Sequence, residues 1–292
     1  MALSALKSAG LADTVQNQNK TINLSGGETH PWGWSSGSEL LDERLPDMLR
    51  RRDRVQDIAA HEAADRGAAL ALSCNLMRRM LLAAETPHYP LLYLSGGRTE
   101  HDLGRLHGWG LRGTGISARQ IIHVQCHNPR DIWFTLEEAL DSGAVSGLIA
   151  DLDDRAVASL DITVGRRLNL ATERNRLPLI LLRDQGAGNI PTAWNSWSVA
   201  ARPSAANQYD AKAPGMARCG LNLIRSKTGI PPLAMEVAWD DQADRLHLVA
   251  ELADHGTLAT VAARHKPGSG QLFKLPFGRD KAGRGKTGRK VA

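Results

Sequence analysis

Four short apolar runs recur through the middle of this chain: PLLYLS at 90–95, QIIHVQ at 120–125, GLIADL at 147–152 and PLILLR at 178–183. Each is a short apolar run, and a helical stretch separates it from the next. Apolar strands alternating with helices predict an α/β architecture, a mostly parallel sheet covered on both sides. The clearest unit is CHNPRDIWFTLEEALDSGAVSGLIADLDD. Asn128 stands at the cap and Pro129 in the first turn; Ile132, Leu136, Ala139 and Leu140 make the buried stripe; Gly143 ends the helix before a strand that runs into Asp151. After PLILLR the rhythm changes. TAWNSWSVAARPS, GLNLIRS and LAMEVAWD alternate apolar and polar residues and read as half-exposed antiparallel strands that end the sheet in a meander. A short helix is expected over QADRLHLVAEL.

An apolar fraction of 42% in 292 residues supplies a proper core. No apolar run reaches the ~18–20 residues that span a bilayer, and MALSALKSAGLAD lacks the apolar stretch of a secretory signal, so the expected place is the cytoplasm, away from membranes. Cys74, Cys126 and Cys219 are odd in number and far apart, which argues against a disulfide framework and a zinc ribbon. Cys126 lies beside His123 and His127, but at a strand end such side chains point in different directions, and no metal is assigned. The net charge of +5 hides an asymmetry. From residue 262 onward nine Lys and Arg face Asp280 alone, giving +8 and leaving −3 for the first 261 residues. The expected organisation is a flexible segment at 1–29, a core at 30–240, and an extension at 241–292 that ends in a basic, disordered tail.

The stretch VQDIAAHEAADRGAALALSCNLMRRML, 55–81, reads as strand, loop and helix, with Leu70, Met77 and Leu81 along one stripe. That order is where nucleotide-binding proteins place a phosphate cradle: glycines that let backbone N–H groups approach, a Lys for the β/γ charge, and a hydroxyl for magnesium. Here the loop offers His61, Glu62, Asp65, Arg66 and a single Gly67. Two carboxylates stand where phosphate charge would sit, and Arg66 with the helix N-terminus is the only attraction left. GKTG at 285–288 imitates the end of such a cradle, yet Asp280 occupies the place of its first glycine and no strand precedes it.

The order of the pieces resembles a known core. GWSSGSELLDERL ahead of the strand and loop resembles the "TGS–x–x–LD" entry into the RecA recombinase core; EEALDSGAVSGLIADL resembles its helix and strand ending in the second carboxylate of the nucleotide site, matched by Asp151; LPLILLRDQ resembles its nucleotide-sensing strand, with Gln185 near the matching position. A closer similarity is to the bacterial ImuA family, RecA-like accessory proteins of damage-induced mutagenesis. It is carried by SSGSELLDERLP, DIAAHEAADRGAALAL, WFTLEEALDSGAVSGLIADL, GRRLNLATERNRLPLILLR, WSVAARPS and GLNLIRSKTGIPPLAMEVAWD. In that family a "HE" pair, here His61 and Glu62, commonly replaces the lysine-bearing cradle.

The resemblance implies a RecA-like, P-loop-type core with a degenerate phosphate loop (His61, Glu62, Arg66, Gly67, Asp151) and no cofactor. It implies a non-catalytic adaptor in translesion synthesis under the SOS response. The partners it implies are an ImuB-like protein related to Y-family polymerases, an error-prone polymerase III-type α subunit, and RecA itself. A divergent ATP- or DNA-binding RecA relative acting alone in repair is the alternative. At the strand that would bring a water-orienting carboxylate, Ser95, Gly96 and Gly97 stand instead, with Glu100 and Asp102 displaced, so no catalysis is expected. A surviving carboxylate such as Asp151 is expected to act as a cap or surface charge.

Candidate contacts to DNA or a partner are Arg166 and Arg167, with Arg174 and Arg176, whose other reading is a solvated helix face. Trp194 and Trp197, three apart, should face opposite sides of a strand, one of them a stacking platform or anchor unless it packs under the meander. The connection DQGAGNIPTA carries no Lys or Arg. In the tail, Lys274, Arg279, Lys281, Arg284, Lys286, Arg289 and Lys290 suit phosphate contacts, and Gln271, Leu272, Phe273, Leu275 and Phe277 form a short apolar docking motif.

Overall fold

The computed structural model describes residues 31–252 apart from 85–88, 98, 100–103, 208 and 211. The segment 1–29, Glu100, Asp102, the basic tail residues and the apolar motif at 271–277 lie outside the described residues.

A nine-stranded sheet in the order β3-β2-β4-β5-β1-β6-β7-β8-β9 forms the body of the protein. The expected apolar runs become β1 (Val55–Ala60), β2 (Leu91–Gly96), β3 (Ile121–Cys126), β4 (Gly147–Asp151) and β5 (Leu179–Asp184), all parallel to their neighbours. β1, β2 and β4 are buried at every position, as their composition requires. Alternate residues feed two cores. Ile58, Leu91, Tyr93, Ile149 and Ile180 point to the side of α1 (Glu39–Arg44) and α2 (Arg66–Leu82). Leu92, Leu94, Leu148, Leu179 and Leu181 point to the side of α4 (Pro129–Ser142), α5 (Asp154–Ser159) and α6 (Ile162–Asn175). α4 keeps its predicted stripe and ends at Gly143, which is left-handed at φ 64°. A short α3 (Gly108–Arg112) flanks the first core. α2 is buried nearly all round, so Leu70 and Leu81, read from sequence as its stripe, are only partly buried, whereas Met77 and Met80 are central.

Two expectations about the second half are corrected. β6 (Asn195–Arg202) is neither half-exposed nor antiparallel to the strand before it: it lies parallel to β1 and is buried over its first six residues. The ten-residue connection 185–194 makes this possible with a single turn of 3-10 helix, Gln185–Ala187. It then straps across the α6 side of the sheet, with Ile190 and Ala193 in the core, and Asn169 Nδ2, Arg225 Nη2 and Lys227 Nζ bind its carbonyls. From β6 the chain does turn antiparallel, through β7 (Arg218–Ser226) and β8 (Ala234–Asp240).

The second correction is QADRLHLVAEL, which holds no helix. Arg245–Glu251 is β9, antiparallel to β8, with Leu246 and Leu248 in the first core, so the sheet continues past residue 240. The preceding turn is set by tertiary contacts. Asp244 takes a left-handed φ of 50°, Arg78 pairs with its carboxylate at 2.8 Å, and Arg79 Nη1 binds its carbonyl at 2.7 Å. Gly37 approaches so closely that a Cβ there would lie 2.7 Å from Arg245 Cβ, and Leu246 N–H donates to Ser36 O.

Candidate functional site

β1 ends at Ala60, and the loop His61–Asp65 leads into α2 through one turn of 3-10 helix. Three of its backbone donors are already used. His61 N–H donates to Val199 O (2.8 Å), Glu62 N–H to the Asp65 carboxylate (3.0 Å) and Asp65 N–H to Glu62 O (2.9 Å). Asp65 also accepts from Ala201 N–H at 2.8 Å, which staples the loop to β6. A phosphate cradle needs such donors turned outward; here they close the loop on itself and on the sheet. Gly67, the one glycine, lies in the first turn of α2, exposed, and a Cβ added there would meet nothing within 4 Å.

Arg66 does not reach toward a phosphate position in solvent. Its side chain is buried beneath the loop, where Nη2 forms an ion pair with Asp151 and Nη1 lies 3.1 Å from Asp184 Oδ1. Asp151, at the end of β4, also accepts from the Tyr93 hydroxyl. This overturns the expectation that Asp151 serves as a cap or surface charge: it is 3% exposed. Three strands and a helix contribute to one network, namely Tyr93 from β2, Asp151 from β4, Asp184 from β5 and Arg66 from α2. The cap role belongs to Asp153, whose carboxylate accepts from Ala156 N–H at the start of α5.

The electrostatics follow from burial. Burial pushes the Asp151 carboxyl above its ordinary value, against the pull of Arg66 and the Tyr93 hydroxyl. Tyr93 is pushed up by burial and by the neighbouring Asp151 charge. Cys74, on α2 beside them, is pushed up to about 12 for the same two reasons, which leaves a neutral and unreactive thiol. A cavity of about 370 Å³ opens next to this network, with Leu70, Leu106 and Leu111 among its apolar walls and Tyr93, Cys74 and Asp151 on its polar side.

Gln185, at the end of β5, completes the loop's surroundings. Its Oε1 accepts from Ser198 Oγ at 3.1 Å and lies 3.1 Å from His61 Nδ1. The structure therefore brings together His61, Arg66, Asp151 and Gln185 at the carboxyl ends of the central strands, the edge where ligands of open α/β sheets bind. Glu62 stays exposed beside them.

The remaining candidates separate. Trp197 is buried in the first core, its indole N–H directed to Gln56 Oε1 at 3.2 Å, so it is no platform for a ligand. Trp194 precedes the strand and is half-buried, with the Arg54 guanidinium 4.8 Å from its ring centre. Arg167 and Arg174 pair with Glu137 and Asp141 of α4. Arg166 and Arg176 are exposed.

Sequence reasoning missed Tyr93, Asp184 and a second buried pair on the opposite face. Arg183 of β5 binds Asp57 of β1 through two hydrogen bonds of 2.8 and 2.9 Å, with side chains 1% and 0% exposed. The available signal was a charge inside each of two largely apolar strands, Asp57 in VQDIAA and Arg183 in LILLRD, for burying one charge demands another. All three cysteines are free and buried. Among the described residues no helix is long and apolar enough to cross a membrane. Comparison with protein-family models and with curated proteins finds no match for this chain.

Proposed function

We propose that this chain is a RecA-like core whose nucleotide site has been turned into an internal ion-pair network, and that it serves as a non-catalytic adaptor of a mutagenic translesion synthesis complex. The observation that carries the reading is the position of Arg66. In a working site of this type a Lys faces the β/γ-phosphates, and a strand-end carboxylate acts through a magnesium ion. Here the guanidinium neutralises Asp151 directly, and the loop amides of His61, Glu62 and Asp65 are bonded within the protein. Binding ATP would require breaking a buried charge pair before any gain from phosphate contacts. On this reading the preserved fold presents surfaces, and its partners are an ImuB-like polymerase-related protein, a polymerase III-type α subunit and RecA, as the sequence resemblance implies. Isothermal titration of the full chain with ATP and magnesium should give no measurable binding heat; low-micromolar affinity would overturn the loss of nucleotide chemistry. Affinity capture from damage-treated cells should recover the polymerase partners, and their absence would remove the adaptor role.

A further inference from the structure

The cavity of about 370 Å³ beside the Arg66 network runs along one face of α2, from Arg66 to Cys74, and is closed on the other side by α3 and the residues before it. Its lining combines three polar side chains that are almost wholly buried, Tyr93, Arg66 and Asp151, with the apolar walls of Leu70, Leu106 and Leu111. Few polar groups converging on an apolar hollow of this size are the form of a small-molecule site.

The space exists because side chains are missing from its walls. Gly67 of α2 and Gly110 of α3 both line it, and a Cβ added to either would meet no atom within 4 Å. A region that served only as core would gain helix stability and apolar contact from larger residues at both positions. An apolar cavity of about 150 Å³ takes up benzene, so this one has room for roughly two to three rings.

The polar lining narrows the class of occupant. Asp151 accepts from Arg66 Nη2 on one carboxylate oxygen and from the Tyr93 hydroxyl on the other. A carboxylate offers about four acceptor positions, so each oxygen can take a further donor. A second cation is not required, because Arg66 already balances Asp151, and an anion would face Asp151 and Asp184 set against a single guanidinium. Arg105 and His107 also line the cavity but are exposed, where salt and water screen them. A neutral N–H or O–H on an apolar body meets these walls with the least desolvation cost.

We infer that this cavity is a binding site for a small, neutral, mainly aromatic or aliphatic molecule of that size, whose hydroxyl or N–H donates to Asp151. The site uses the ion-pair network as it stands and does not rest on the adaptor reading.

The test titrates the full chain with N-phenylnaphthylamine, a neutral aromatic amine with a single N–H whose emission rises in apolar surroundings. Emission should rise and saturate at one site per chain; no rise would overturn the proposal. The N-methyl derivative keeps the rings and lacks the donor, and it should bind at least about tenfold more weakly, the scale of a hydrogen bond to a charged group. Equal binding of the two would remove Asp151 as the recognition group and overturn the ligand class. Leu70→Trp, which fills the cavity from α2, should weaken binding by a similar factor, with thermal melting to establish folding. If that variant unfolds, Gly110→Leu is read by the same criterion, since added atoms there meet no neighbour. Unchanged affinity in a folded, filled variant would place the dye elsewhere on the chain and overturn the site. Tighter binding of anilinonaphthalene sulfonate, the same rings carrying an anion, would assign the cavity to acids held by Arg105 and His107 and overturn the proposal equally.

Discussion

Arg66 decides the character of the loop, and its consequences can be measured one side chain at a time. Burial raises the Asp151 carboxyl, while Arg66 and Tyr93 pull it down. In Arg66→Ala the raising effect of burial stands with less opposition, so the folded variant keeps a proton that the unfolded chain gives up near its ordinary pKa of about 3.9. Unfolding then releases a proton, and the stability of the variant falls as pH rises through that window. The expected loss at neutral pH is about 3–5 kcal/mol, the range for a buried charge left without its partner. It should shrink as pH approaches about 4, where Asp151 protonates in both states. Urea denaturation at both ends of this range checks it; an equal loss at both would show that Arg66 acts by packing alone. The half-exposed Asp184 carboxylate, left without Arg66, is a like charge that pushes Asp151 up further.

At the scale of elements, two helical glycines make opposite predictions. In α6 a Cβ at Gly165 would lie 2.2 Å from Thr192 Oγ1, on the strap that carries the chain from β5 to β6. The close approach of helix to strap requires the glycine. Gly165→Ala should therefore destabilise by about 1–3 kcal/mol through overpacking. In α2 a Cβ at Gly67 meets nothing, so Gly67→Ala should stabilise by about 0.5–1 kcal/mol through helix propensity. Urea midpoints measure both. A destabilising Gly67→Ala would imply a demand on the loop that its geometry does not show. The contrast also explains a limit of the sequence: one glycine stood in a loop whose order of elements suggested phosphate, and the other sat in a helix whose neighbour no local pattern reveals.

Across the whole molecule, β9 closes the far side of the sheet and ties three separated parts of the chain together. α2 holds its turn through Arg78 and Arg79, the entry segment binds Leu246 N–H through Ser36 O, and β8 pairs along its length. A chain ending at Asp244 would leave Leu246 and Leu248 missing from the core and the β8 edge unpaired. Such a truncation should lose its cooperative thermal transition and aggregate; melting unchanged within about 1 °C would show that β9 is an accessory.

What the sequence by itself determined is the set of strands buried on both faces, because PLLYLS, GLIADL and PLILLR are apolar at nearly every position and no other environment satisfies them. It also determined the helix from Pro129 to Ser142 with its end at Gly143, and the meander after β6, since local chemistry decides those; the Asn128 side chain makes no cap bond and turns to Asp131 instead. Tertiary structure alone decided the rest. RLHLVAE carries leucines that suit a short helix or a strand equally, and only pairing with β8 and the arginines of α2 select the strand. A ten-residue connection does not announce that it will cross β1 to a parallel partner. Arg66 and Asp151 are 85 positions apart, and Arg183 and Asp57 are 126. A charge in an apolar strand predicts that a partner exists; which one it is depends on a strand order that no local pattern contains.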